Sequence, residues 1–344
     1  LSLIPQHYFI INFHNLSLFT TFIAFIAIML GAYTRLSDAG LGCPDWPGCY
    51  GQLSVPETQS DMQRAKEAFP AQAIETEKAW KEMSHRYVAG TLGILILSLA
   101  IMAWKNRRQA QQAIILPTIL VGIVIFQALL GMWTVTLLLK PLVVVVHLLF
   151  GFTTLALLFW LTIGHSLIVK FNQQENNQGF RIAAALGVFI LVVQIALGGW
   201  TSSNYAALVC PDLPTCQASW WPEMNFKEAF ILWRGIGINY EGGVLDFQAR
   251  TAIHVVHRIG ALITFSYLMI LGVSIYFKSQ NLVLSRTGMA ISIIVCIQFA
   301  LGLSNVFFSL PIAVAVAHNS IAAILLLSLV WLNFQLYHKV YQSK

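Results

Sequence analysis

The chain has 344 residues, of which 57% are hydrophobic and only 34 carry a formal charge (20 Lys and Arg, 14 Asp and Glu). With a mean hydropathy of +0.71 it lies far from a soluble domain, in which about a quarter of the residues are charged. A soluble enzyme, a disordered chain and a nucleic-acid binder are excluded. The net charge of +6 needs no polyanionic partner, because Lys and Arg mostly flank the apolar runs.

No Asp, Glu, Lys or Arg occurs in 1–34, 87–104, 109–139, 141–169, 182–211, 259–277 or 287–338. Each gap approaches or exceeds the ~20 residues needed to cross ~30 Å of hydrocarbon. In chain order the first predicted span is 16–34, followed by a long outer loop of mixed charge at 35–85. That loop carries Cys43 and Cys49, and a charged stretch from Ser60 to Met83 that is expected to be helical. Spans 86–104, 113–136 and 141–164 follow, the first two joined through Lys105, Arg107 and Arg108. After Lys170 and Arg181 comes span 181–201, then a second long loop, 202–251, with Cys210 and Cys216. Span 252–277 leads through Lys278 and Arg286 to 287–308, and Pro311 opens the last span, 311–336. Runs such as Val143 to Val146 do not alternate as a β-barrel strand does. The fold class is an all-α polytopic membrane protein with eight transmembrane helices. The density of Lys and Arg in the short turns puts those turns in the cytoplasm. The cysteine-bearing loops then lie in an oxidising compartment, where Cys43 is expected to pair with Cys49 and Cys210 with Cys216.

The chain repeats itself. Gly31 to Cys49 aligns with Gly198 to Cys216 at an offset of 167, nine of nineteen positions being identical. His85-Arg86 matches His257-Arg258, Gln127 to Gly131 matches Gln298 to Gly302, and His147 matches His318, at offsets of 171–172. Four spans per half is an even number, so both halves share one orientation. The expected architecture is two pseudo-symmetric four-helix bundles, 1–171 and 172–344.

His85, His147, His257 and His318 stand near one membrane face, two in each bundle. A polar side chain at that depth is a functional hypothesis by default. Two imidazoles on facing helices suit an iron gripped from both sides, hence haem; a bare Zn²⁺ or Fe²⁺ would want further donors that neither bundle core offers. Arg86 and Arg258 follow a ligand candidate at the membrane edge, where a guanidinium can pair with a haem propionate. Glu82 stands three residues before His85, whereas His254 stands three before His257. A carboxylate beside a haem edge can accept or relay protons during oxidation, so the halves are expected to differ in role.

In the order and spacing of these residues (Glu82-x-x-His85-Arg86, His257-Arg258, His147 and His318 in the fourth and eighth spans, one cysteine pair per outer loop) the sequence resembles the heme A synthase family. The resemblance covers nearly the whole chain. It implies an enzyme that oxidises the methyl group at pyrrole position 8 of haem O to a formyl group, giving haem A for terminal oxidases. It implies one cofactor haem b held by His257 and His318 with Arg258, and substrate haem O near His85, His147 and Arg86, with Glu82 as the catalytic acidic residue. It matches Cys43–Cys49 and Cys210–Cys216 to the family's two outer pairs. Haem O synthase, an electron-transfer partner and the lipid bilayer are the partners implied; nucleic acid is not, and a homo-oligomer is allowed. Residues 1–15 contain no Arg or Lys, unlike a mitochondrial transit peptide, so the expected location is a bacterial cytoplasmic membrane with the cysteine loops on its periplasmic side. The rival reading is a diheme, quinone-linked electron-transfer protein with both haems permanent, to which the difference between Glu82 and His254 would be of no use.

Overall fold

The computed structural model describes residues 6–109, 112–165 and 178–337. Lys170, His338, Lys339, Lys344, the side chain of His7 and the boundary between residues 171 and 172 lie outside them. Among the described residues the chain is all helix and loop: α1 (Gln6–Leu36), α2 (Gln59–Ala68), α3 (Thr76–Lys105), α4 (Ile115–Thr136), α5 (Pro141–Gly164), α6 (Gln178–Ser203), α7 (Phe226–Ala229), α8 (Phe247–Lys278), α9 (Leu282–Phe307) and α10 (Ile312–Tyr337). Eight of these, all but α2 and α7, are long and apolar enough to cross a membrane, in the places the charge gaps predict.

Several helices outrun their predicted ends. Helix α3 starts at Thr76 and α8 at Phe247, so each projects outward before its first histidine. Charge gaps mark hydrocarbon, whereas a helix continues until a cap or a breaker stops it. The stretch 60–83, expected to be helical, is helical in two pieces and not in one. A capping box between Thr58 and Asp61 starts α2, the chain leaves helical geometry at Phe69 just before Pro70, and α3 begins afresh six residues later. Asp246 caps α8 through the Ala249 N–H at 2.6 Å, and Asn281 caps α9.

Helices α1, α3, α4 and α5 pack around one another, as do α6, α8, α9 and α10. The two sets meet where α1 lies on α10, α5 on α6 and α5 on α10. First and fourth helices therefore exchange partners across the seam, as a local two-fold requires. The duplication extends to backbone detail. Positive-φ residues come in matched pairs: Asp38 with Tyr205, Tyr50 with Gln217, Leu138 with Ser309 and Leu139 with Leu310. A β-branched-free but side-chain-bearing residue in the left-handed region is uncommon, so its recurrence at fixed offsets marks two copies of one local design. Lipid hydrocarbon is as apolar as leucine, so close packing rather than water exclusion joins the helices. At the tightest crossing, α8 on α9, a Cβ on Gly288 would meet the Gly272 carbonyl at 2.5 Å.

On the loop-bearing end, Arg35 closes the seam. Its guanidinium lies 4.3 Å from the Tyr205 ring centroid and donates to the Tyr205 hydroxyl (3.0 Å) and the Ser202 carbonyl (2.6 Å). The α4–α5 turn is clasped at the same end. Gly40 rests on the Leu139 side chain, the Tyr240 N–H donates to the Leu138 carbonyl at 3.0 Å, and buried Lys140 donates to the Gly235 carbonyl beneath the Trp233 ring.

Candidate functional site: paired histidines under disulfide-closed loops

Each bundle brings its two predicted histidines together. The ring centroids of His85 (α3) and His147 (α5) are 6.4 Å apart at 85°. Across the seam, His257 (α8) lies within electrostatic reach of His318 (α10) and of His254. All four are set among the helices yet keep some accessible surface.

Every one of these imidazoles rests on a glycine of a neighbouring helix. A Cβ would come 3.0 Å from His85 Cε1 at Gly31, 3.5 Å from His147 Cε1 at Gly131, 3.3 Å from His257 Cε1 at Gly198 and 3.2 Å from His318 Cε1 at Gly302. Gly31 matches Gly198, and Gly131 matches Gly302, within the repeat. Polar atoms are left over beside them. Nδ1 of His85, His147 and His318, and Oε1 of Gln127, Gln194 and Gln298, are buried with no hydrogen-bond partner among the described residues. Each such atom costs about 1–3 kcal/mol if nothing meets it.

These observations fit a haem. Two rings gripping one metal ion by facing nitrogens place their centroids about 6 Å apart, from bonds of about 2 Å and a ring half-width of about 1 Å. The glycines keep the facing helices flat where a macrocycle would lie. Among the described residues no group of three His, Cys, Asp or Glu side chains forms a bare-ion site. The groove between α6 and α8 lined by Phe180, Ala183, Tyr267 and Lys278 lies at the other end of the helices and holds none of the four histidines.

The glutamines are the feature that sequence reading left without a role. Gln127 donates to the His147 carbonyl (2.9 Å), Gln194 to the His257 carbonyl (3.1 Å) while lying 3.1 Å from His257 Nδ1, and Gln298 lies 3.3 Å from His318 Nε2. Gln127 and Gln298 were visible as matched members of the repeat. Gln194 has Ala27 as its counterpart at offset 167, so the C-terminal pair has a glutamine beside both histidines and the N-terminal pair beside one.

Above the histidines sit the two cysteine loops, both closed: Cys43–Cys49 at an S–S distance of 2.00 Å and Cys210–Cys216 at 1.97 Å. Each is built by the same device. Asp45 accepts from the N–H groups of Tyr50 (2.6 Å) and Gly51 (2.8 Å), and Asp212 from those of Gln217 (2.6 Å) and Ala218 (3.0 Å). Hydrogen bonds from the Thr215 hydroxyl and then from these backbone donors hold the Asp212 carboxyl below the usual carboxylate range. The two arginines tie the loops to the histidine helices. Arg86 donates to the carbonyls of Asp45 (2.9 Å) and Gly48, and Arg258 to those of Thr215 and Cys210, both at 2.8 Å.

Here the halves part. Glu82, although it belongs to the charged stretch 60–83, is buried at 5% exposure. It accepts from the Cys43 N–H at 2.9 Å and pairs with Arg86 at 2.5 Å. In the other half His254 is equally buried, but its Nδ1 lies 2.8 Å from the Ala206 carbonyl. A paired, buried carboxylate thus stands three residues before His85 on α3, and a histidine satisfied by backbone three residues before His257 on α8.

Fold and site together define a multi-pass helical membrane protein that brings two histidines together in each of two repeated four-helix sets. The match to other proteins extends over almost all of that architecture. The COX15-CtaA family, described as cytochrome oxidase assembly protein, matches residues 14–330. A protein named heme A synthase from Shewanella oneidensis is 45% identical over 314 residues, covering 91% of this chain and 93% of that protein. Those of the same name from Bacillus licheniformis and Flavobacterium psychrophilum are each 26% identical, over 88% and 89% of this chain and 89% and 92% of theirs. The chain belongs to the heme A synthase family.

Proposed function

We propose that this chain makes haem A from haem O, oxidising the position-8 methyl group to a formyl group for use by terminal oxidases. Membership of the heme A synthase family supports the activity, and one observation supports the division of labour: of two matched histidine pairs, only one has a buried carboxylate, Glu82, beside it. In this reading residues 1–171 form the substrate half, with haem O taken between His85 and His147. Residues 172–344 form the cofactor half, with one haem b held by His257 and His318. When bound, haem b supplies one-electron chemistry between the substrate site and an external electron-transfer partner.

The protein's own groups do the rest. The paired imidazoles hold and orient the tetrapyrrole, and the glycines beneath them allow its close approach. Glu82 holds or removes a proton at its carboxylate, which the Cys43 N–H and Arg86 fix in place. Arg86 and Arg258 stand at the edge of each site with those guanidinium donors that the loop carbonyls leave over. The loops, drawn down by these arginines, cover the reacting end from water. The cysteine loops lie on the periplasmic side of a bacterial cytoplasmic membrane, consistent with their disulfides, and haem O synthase delivers the substrate.

Haem extraction and chromatography on protein produced with and without a haem O synthase tests this. Haem b alone without the synthase, joined by haem O or haem A with it, is expected. Two equivalents of unmodified haem b under both conditions, with active electron transfer, would overturn it in favour of a diheme electron carrier.

A further inference from the structure

Arg250 lies in the first turn and a half of α8, just beyond the Asp246 cap. A positive charge there is opposed by the unsatisfied N–H groups and the macrodipole of the helix end. Among the described residues it forms no ion pair. Among the described residues its Nε is sealed from solvent without an acceptor, and Asp246 spends its Oδ1 on the Ala249 N–H at 2.6 Å. Arg250, His254 and His257 are spaced i, i+4 and i+7, so they share one helix face. Arg250 stands about 10 Å outward of His257 along it.

The repeat supplies the comparison. At an offset of 172 the first half has Lys78, Glu82 and His85 in the same register. There the cation is met, since Lys78 Nζ lies 3.0 Å from Glu75, and Arg86 further along is met by Glu82 at 2.5 Å. In the second half Phe247 and His254 take the places of Glu75 and Glu82. The face above His257 therefore carries Arg250 and Arg258 with no carboxylate between them. Arg258 has the Asp212 carboxylate of its loop within electrostatic reach, so a ligand with acidic tails meets one unpaired cation, Arg250, above this histidine pair, and two ion-paired cations above the other.

We infer that Arg250 binds a carboxylate tail of the tetrapyrrole held by His257 and His318, and that this contact retains a permanent cofactor in the C-terminal half. The N-terminal half, whose matching lysine is engaged by Glu75, lets its tetrapyrrole leave. The inference rests on the proposed haem b site and deepens it.

The test compares wild type, Arg250→Gln and Arg250→Lys as full chains in detergent, each reconstituted with iron protoporphyrin IX or its dimethyl ester. The readouts are the rate of haem loss to apomyoglobin and the midpoint potential. Wild type should release the ester at least about tenfold faster than the free acid, the scale of one charged hydrogen bond. Arg250→Gln should release the free acid several-fold faster than wild type, narrowing the difference from the ester to what Arg258 supplies, with a lowered potential, and Arg250→Lys should keep most of the difference. Equal release of acid and ester by wild type, or an undiminished difference in Arg250→Gln, overturns the inference. Should Arg250→Gln not fold, Arg250→Met takes its place and is read by the same comparison of acid with ester. Haem b bound as tightly by His257→Ala as by wild type would instead sink the haem b site itself.

Discussion

Adding a methyl group beneath each histidine should disturb the four ligand positions in an order set by distance. The built Cβ contacts are 3.0 Å at Gly31, 3.2 Å at Gly302, 3.3 Å at Gly198 and 3.5 Å at Gly131. Carbon atoms attract best at about 3.5–4.0 Å, so Gly131→Ala makes an ordinary contact and the other three overlap by a few tenths of an ångström. A ring that ligates iron cannot slide freely, because it has to keep its nitrogen on the metal. Overpacking of this kind costs about 1–3 kcal/mol, which taken from haem affinity is a loss of about 5–150-fold. Gly302→Ala and Gly198→Ala should therefore release haem b faster, read as decay of its Soret absorbance on transfer to apomyoglobin. Gly31→Ala should spare haem b but weaken retention of haem O, and Gly131→Ala should resemble wild type in both. Haem b loss unchanged in Gly302→Ala, or Gly131→Ala the most damaging of the four, would refute the idea that these glycines seat ligating imidazoles.

Glu82→Gln keeps the shape and the acceptor towards Cys43 but cannot take a proton. It should retain haem b while product formation in cells supplied with haem O falls about a hundredfold or more, and activity near wild type would remove Glu82 from the chemistry. Glu82→Ala leaves Arg86 buried without its partner and should also cost about 3–5 kcal/mol of stability, seen as a lowered Tm in detergent. Replacing Cys43 and Cys49 together by Ser opens a short closed loop worth about 2 kcal/mol; Tm should fall and product with it, since the N–H that holds Glu82 belongs to Cys43. Arg35→Ala removes two hydrogen bonds and a ring contact at the seam, about 2–3 kcal/mol, and should lower Tm with haem b content unchanged.

Much of this was legible in the sequence, for identifiable reasons. Hydrocarbon tolerates almost no charge, so the gaps between charged residues located eight spans, and Pro141 and Pro311 marked two starts closely. Duplication then acted as an internal control. A histidine that recurs at a fixed offset is weighed differently from a lone one, and so His85, His147, His257 and His318 were found together. The start of α8 escaped because Phe247 to Thr251 is polar enough to read as loop, yet nothing breaks it, and Thr76 to Met83, expected to be helical within the outer loop, runs on without a break into the span that follows. Glu82 belongs to the same charged stretch as Thr76 to Lys81. Its neighbours Glu77 and Lys81 are solvated partners of each other, and only the fold turns Glu82 inward. Gln194 was invisible because the repeat pairs it with Ala27, and a search for matches passes over a difference.

The clasp on the α4–α5 turn bears on how the protein is assembled. That turn belongs to the first half of the chain, yet residues 233, 235 and 240, which hold Leu138 and Lys140, belong to the second. A ribosome delivers the first four spans, which end at Gly164, about seventy residues before it delivers their keeper. Until then Lys140 has neither the Gly235 carbonyl nor the Trp233 ring to shelter it, and the rim of the first bundle stays open. The half proposed to do the oxidation is thus the last to be completed, and a truncated product lacking its second half would leave that bundle unsealed.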